Sequence, residues 1–245
     1  MTDENIWAIV ILSFSLFFTG YFLLSGLIYF LFKAKSGKWP LHKLQSASQP
    51  MHGIWREIKY SVSSIIVFAF VGALNYLLYL QGYTQIYTEV GKFGTLYLIV
   101  SFFLSLLIHD FYFYWTHRLL HLPGVFTKIH KTHHRSHNPS SFAALSFHPV
   151  EALIQAGIVP FLCVLLPLHP LVISGFIFYS LLANIIGHAG YEFFSAKFKS
   201  SFLGRISNTP LYHNSHHQFV KGNYGLYLNI WDSLMGTCHK HTKGH

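Results

Sequence analysis

Charge is what this sequence has least of. Only 10% of its 245 residues are Asp, Glu, Lys or Arg, where an ordinary soluble domain carries about a quarter. With 52% of residues hydrophobic, that shortfall excludes a disordered chain and argues against a soluble globule. A mean hydropathy of +0.38 points instead to a membrane protein. Cysteine is also scarce. Cys163 and Cys238 have no CxxC partners, so no disulfide framework is expected. Acidic residues number 8, too few for a carboxylate-rich metal cage, whereas histidines number 18. That inversion makes imidazole the first suspect for chemistry.

A helix needs about 20 mostly apolar residues to cross a bilayer. Ile6 to Phe32 is long enough and lacks the basic front of a cleaved leader, so it reads as a retained anchor. Tyr60 to Leu80 and Phe93 to Trp115 are second and third spans. Ala152 to Leu168 and Leu171 to Gly187 read as a fourth and fifth, split by Pro167, His169 and Pro170 into a tight hairpin, with Pro160 kinking the fourth. Five spans place every Lys and Arg except Lys92 on one side. By the positive-inside rule that side is cytoplasmic, and the N-terminus with Asp3 and Glu4 is outside. The net charge of +9 is then explained by loops flanking spans, and no nucleic-acid partner is expected. The expected fold is an all-α integral membrane bundle of four to five spans, with a cytoplasmic helical cap carrying a histidine-rich dimetal site. It reads as one membrane-embedded domain over 1–245, with N-terminal spans and a basic loop in 1–92 and the catalytic region in 93–245.

Four histidine clusters stand out: His117 and His121; His130, His133 and His134; Asn184 and His188; His213, His216 and His217. Residues three or four apart share one side of a helix. Pro123-Gly124 before the second cluster, Pro139 after it, and Asn208-Thr209-Pro210 before the fourth are helix boundary signals. Spans three and five end on the same face, which brings the clusters together. Ten potential ligands suit two metals rather than one, and imidazole suits iron, zinc, copper or nickel. Crowding so many imidazoles without a metal would leave donors unpaired or charges repelling. Asp110, two helical turns before His117, is expected to accept a proton from a ligand imidazole and fix its tautomer. His109, His137, His148 and Asp232, with Glu192 and Glu151, are further candidates for the outer ring of hydrogen-bonding groups. His42, His52, His239, His241 and His245 read as ordinary polar residues, and His169 as a loop residue.

These residues are similar to the fatty acid hydroxylase / sterol desaturase superfamily of membrane di-iron oxygenases. The resemblance rests on His109-Asp-Phe-Tyr-Phe-Tyr-Trp-Thr-His117-Arg-Leu-Leu-His121, His130-Lys-Thr-His133-His134-Arg-Ser-His137-Asn-Pro, Phe147-His148-Pro-Val-Glu151, Gly187-His188, His213-Asn-Ser-His216-His217, Asn223-Tyr-Gly-Leu and Trp231-Asp232-Ser-Leu-Met-Gly-Thr. It covers roughly residues 93 to 238. Tyr-Trp-Thr-His-Arg-Leu-Leu-His and Phe-His-Pro-Val-Glu most resemble the sterol C-5 desaturase branch. The resemblance implies metal ligation by His117, His121, His130, His133, His134, His188, His213, His216 and His217. Asn184 stands where some relatives have another histidine and would bind through its amide oxygen or water.

It further implies two iron ions (zinc is possible in isolated protein), O2, and electrons from an external cytochrome b5 or ferredoxin-type donor. The substrate would be a membrane lipid, with Phe111, Phe113, Tyr114, Phe142 and Phe147 as candidate pocket walls. The membrane would be the endoplasmic reticulum in a eukaryote or the inner membrane in a bacterium. Desaturation and hydroxylation (of a fatty acyl, sphingoid or carotenoid chain) diverge only after the first hydrogen abstraction, and sub-ångström placement decides between them. A metal transporter would need ligands near mid-membrane, and a b-type cytochrome would need paired axial histidines rather than adjacent HxxHH ligands.

Overall fold

The computed structural model describes residues 3–35 and 42–239. His241, His245, Lys38, Lys240 and Lys243 lie outside the described residues. Among the described residues, four helices are long and apolar enough to cross a membrane: α1 (Asp3–Ala34), α2 (Met51–Leu80), α3 (Gly94–Leu120) and α7 (Pro170–His188). Their outward faces carry bare side chains such as Leu16, Phe30, Leu96 and Phe178. Such a continuous exposed apolar surface suits hydrocarbon and not water.

The expected fourth span is shorter and broken. It forms α5 (Pro149–Ala156) and α6 (Ile158–Leu165), separated at Gly157. Pro160 explains the break, because it has no N–H to donate to Ala156 four residues back and its ring crowds that carbonyl. The two short helices still reach the far end of the bundle. There Gln85 N–H donates to the Cys163 carbonyl at 2.8 Å and Tyr87 N–H to the Leu168 carbonyl at 3.1 Å. His169 caps α7 through Nδ1 and donates from Nε2 to the Thr88 carbonyl at 3.1 Å.

At the opposite end lie the start of α2, the ends of α3 and α7, and the small helices of the cap. A π-helical turn (Phe126–His130) runs into α4 (Lys131–His134). A two-stranded ribbon pairs β1 (His42–Lys43) with β2 (Tyr191–Glu192), antiparallel, with His42 opposite Glu192. Then come α8 (Ala196–Ser200), α9 (Phe202–Ile206), α10 (Pro210–Phe219) and α11 (Ile230–Leu234). Thr209 is the N-cap residue of α10 and Pro210 opens its first turn, the position where a missing N–H costs nothing.

Glu57 joins the two layers. It is fully buried on α2 and accepts from Gln49 Nε2 at 2.7 Å and from both the N–H and hydroxyl of Ser140. Gln49 and Arg56 also reach the Ser136 hydroxyl, at 3.2 and 3.3 Å. Replacing Glu57 with Ala would strand these donors, at about 2 kcal/mol. Glu57→Ala should therefore lower the thermal midpoint of the detergent-solubilised chain. An unchanged midpoint would show that the 136–140 loop is held by something else.

Candidate metal centre

Two groups of imidazoles converge at the cap. One holds His117, His121, His130, His134 and His216, the other His133, His188, His213 and His217, and within each group the ligand atoms lie within 4.8 Å of one another. Helical geometry dictates the split. Residues four apart lie on one face, so His117 and His121, His130 and His134, and His213 and His217 each stay together. Adjacent residues differ by about 100° around the axis, so His133 parts from His134 and His216 from His217. The two HxxHH segments are therefore complementary, each giving two imidazoles to one group and one to the other. The wide π turn ending at His130 supplies the local rotation; such turns occur often at functional sites.

Several outer nitrogens are tied down by acceptors, although the buried Nδ1 atoms of His133 and His134 have no hydrogen-bond partner. Nδ1–H donates from His117 to the Tyr224 carbonyl at 2.9 Å, from His216 to Gly222 at 2.7 Å, from His217 to Ser136 at 3.0 Å and from His188 to Asn184 at 2.7 Å. A carbonyl only accepts, so Nδ1 carries the hydrogen in each, and the neutral ring presents a lone pair at Nε2. His130 Nδ1 meets the buried Glu151 carboxylate at 2.7 Å. The inner nitrogens then face each other: His117 Nε2 lies 3.0 Å from His130 Nε2, His134 Nε2 3.1 Å from His130 and 3.0 Å from His216. In the second group, His188 Nε2 lies 3.2 Å from His133 and 2.9 Å from His213. Buried Nε2 atoms of His121 and His217 have no hydrogen-bond partner. Two lone pairs cannot hydrogen-bond each other, whereas a cation between them satisfies both. The donor set thus fits two nitrogen-ligated metal ions.

Burial, and then the charge of neighbouring imidazoles, holds the rings of His130, His133, His134, His213, His216 and His217 well below the usual histidine value of 6.5. They stay neutral, as metal ligation requires.

A loop from Tyr224 to Asp232 frames one side. Asp232 accepts from Tyr224 N–H at 2.9 Å and Gly225 N–H at 2.7 Å. Asp110 accepts from Tyr227 N–H at 2.8 Å and Leu228 N–H at 3.1 Å. The expectation that Asp110 fixes the His117 tautomer is thereby corrected. Seven residues share a helix face but are about 10 Å apart along the axis, so Asp110 holds the loop whose Tyr224 carbonyl does that work. Asp232 likewise holds the loop rather than an imidazole. His148 caps α5, accepting from Val150 N–H at 3.2 Å. His137 is exposed, and Glu192 accepts from Phe193 and Phe194 N–H. Glu151 is the carboxylate that touches an imidazole. Glu57 escaped the sequence reading, although a lone acid beside an apolar run is a signal for it.

An apolar cavity of about 280 Å³ opens beside the second group, lined by Phe113, Leu145, Phe147, Phe176, His109 and Asn184 among others. The Phe147 ring lies 5.1 Å from that of His133. His109 Nδ1 bonds the Tyr227 hydroxyl at 2.9 Å. Asn184 is not among the grouped imidazoles; its Nδ2 donates to the Ala144 carbonyl at 2.8 Å. Phe111, Tyr114 and Phe142 do not line the cavity. On α3 the cavity face is His109 and Phe113, and the neighbouring face carries Phe111 and Tyr114 toward Trp231. Phe142 packs on Tyr21 and Tyr29.

The same segments match known proteins. A family model described as fatty acid hydroxylase matches residues 102–237. Lathosterol oxidase of Mus musculus is 34% identical over 187 residues, covering 74% of this chain and 60% of that protein. The Homo sapiens lathosterol oxidase is 32% identical over the same shares. A Delta(7)-sterol 5(6)-desaturase of Aspergillus fumigatus is 30% identical over 202 residues, 74% of this chain and 62% of that protein. The chain thus spans about 60% of the length of these curated relatives. No solved structure matches.

Glu151→Ala removes the buried carboxyl partner of His130 and should weaken metal retention about 10- to 100-fold, read as metal per chain after mild chelation; full retention would remove Glu151 from the centre. The metal-stripped chain should also lose stability as pH falls below about 6.5. The unfolded rings take up protons there while the folded rings, with lowered values, do not. A midpoint flat from pH 7.5 to pH 5 would contradict this.

Proposed function

The chain belongs to the fatty acid hydroxylase family, and on that premise we propose that it is a membrane-bound, O2-dependent lipid oxidoreductase of the sterol-desaturase kind, holding two iron ions. The observation that carries this reading is the pair of imidazole groups whose inner lone pairs converge beside an apolar cavity. The first ion would take His117, His121, His130, His134 and His216. The second would take His133, His188, His213 and His217, with the amide oxygen of Asn184, or a water on it, as its weakest ligand. Zinc fits the same nitrogens but has no redox chemistry. With iron in place, the centre supplies oxidation of an unactivated C–H bond.

The chain's own residues do the rest. Backbone carbonyls of Tyr224, Gly222, Ser136 and Asn184 hold the outer ring hydrogens, so the imidazoles are aimed before any ligand binds. Phe113, Phe147 and Phe176 line the slot for the lipid and exclude water from the reacting carbon. No side chain here supplies electrons, so an external carrier, a cytochrome b5 or ferredoxin-type protein, delivers them. His121 is the one member of the two groups that is only partly buried, which favours entry on its side. The basic flanks of the histidine end favour a cytoplasmic centre, in the endoplasmic reticulum of a eukaryote or the inner membrane of a bacterium.

The test compares lipids of cells expressing the wild-type chain with cells expressing His133→Ala or His216→Ala, alongside metal analysis of each purified protein. We expect a lipid lighter by two hydrogens only with the wild type, and activity lost in both variants while each still inserts. A product heavier by one oxygen would replace desaturation by hydroxylation at the same centre. Substantial turnover by either variant would overturn the ligand assignment.

A further inference from the structure

The polar groups of the cavity differ at its two ends. At the histidine end His109 and Ser180 both bond the Tyr227 hydroxyl, at 2.9 and 2.5 Å, and Asn184 bonds Ala144. At the other end stands Asn75 of α2, 9% exposed. Its Nδ2 reaches only the Cys163 sulfur, at 3.6 Å, and its Oδ1 has no hydrogen-bond partner. Ser13 of α1 lines the same end, its Oγ 3.6 Å from where a Cβ on Gly72 would stand, one turn before Asn75. Ser15, Ser64, Ser105 and Thr116 return their hydroxyls to carbonyls of their own helices; Ser13 makes no such bond. An amide oxygen without a partner inside a membrane span is costly and, where it persists, marks a site.

We propose that Asn75, aided by Ser13, is a subsite for a hydroxyl group on the end of the lipid remote from the reacting carbon. This rests on the lipid-oxidoreductase reading above and narrows its substrate. Along α7 the cavity runs from Ile173 to Asn184, about 16 Å. Ile173 packs on the cluster containing Cys163, which places Asn75 at the end opposite Asn184. The walls between are apolar, among them Phe17, Phe68, Val159 and Ile177. The ligand is therefore an elongated hydrocarbon with a polar distal tip. A hydroxyl both donates and accepts, so it serves Asn75 Oδ1 and Ser13 Oγ together, and it serves the amide in either orientation. A plain hydrocarbon tip would leave the amide oxygen stranded.

The experiment uses the full-length protein in lipid nanodiscs and two probes: a Δ7-sterol with a plain side chain, and the same sterol with a hydroxyl at the end of that side chain. Equilibrium binding is measured for the wild type, Asn75→Leu (similar in volume) and Ser13→Ala, with turnover alongside. The wild type should bind the hydroxylated probe about tenfold more tightly, the scale of one buried hydrogen bond. Asn75→Leu should erase that preference while keeping or improving affinity for the plain probe, and Ser13→Ala should reduce it in part. Equal binding of both probes by the wild type, or a preference that survives Asn75→Leu, overturns the subsite and leaves the lipid-oxidoreductase reading intact. If the folded, metal-loaded wild type binds neither probe, the sterol reading fails and the subsite falls with it.

Discussion

The structure depends on one constraint: nine imidazoles are crowded into two groups, and an imidazole presents a lone pair inward only when its N–H points outward. A neutral imidazole has one N–H and one lone pair, so an inward Nε2 lone pair leaves the hydrogen on Nδ1, where an acceptor can hold it. The cap is organised to supply those acceptors. Tyr224, Gly222, Ser136 and Asn184 offer backbone carbonyls, and Glu151 a carboxylate. Tyr224, Gly222 and Ser136 lie outside helices, and Asn184 lies one turn before the end of α7.

That requirement explains where the few acids are placed. Asp110 and Asp232 hold backbone N–H groups of the 224–228 segment, and Glu57 holds Ser140 and, through Gln49, Ser136. Carboxylates here fix the loops that fix the rings; among the described residues only Glu151 touches a ring of the two groups directly. Backbone strain collects in the same place. Val220 and Asn223 adopt left-handed φ values of 64° and 54° around Gly222, whose carbonyl takes the His216 hydrogen. A β-branched residue in that conformation is unusual, and the tight turn is what returns the chain to the end of α10.

The membrane helices answer a second need. On the proposed function, a hydrocarbon substrate would have to reach a polar centre without bringing water. The apolar cavity between α1, α2, α3 and α7 ends at Phe147, against the His133 ring. The break at Gly157 lets the α5–α6 segment carry Glu151 at one end and still close the far end of the bundle at Gln85 and Tyr87. A straight helix of the same length would have no such turn between its two duties.

Much of this is open to the sequence alone. Low charge, long apolar runs and the lopsided basic residues determine a helical membrane bundle, because hydropathy and backbone satisfaction leave few alternatives in lipid. The spacings i, i+3 and i+4 determine which imidazoles share a helix face, because the helical period is fixed. What the sequence leaves undecided lies beyond local geometry. Asp110 is on the right face for His117 yet too far along it, and only the packed 224–232 loop shows what it holds. Phe111 and Tyr114 read as cavity walls because aromatic character is local, whereas facing a cavity depends on the neighbour opposite. The meeting of the two HxxHH segments, the choice of Glu151 over the other acids, and the unpaired Asn75 oxygen all arise from contacts between residues distant in the chain. Tertiary structure decided them because a hydrogen-bond partner is a matter of position in space.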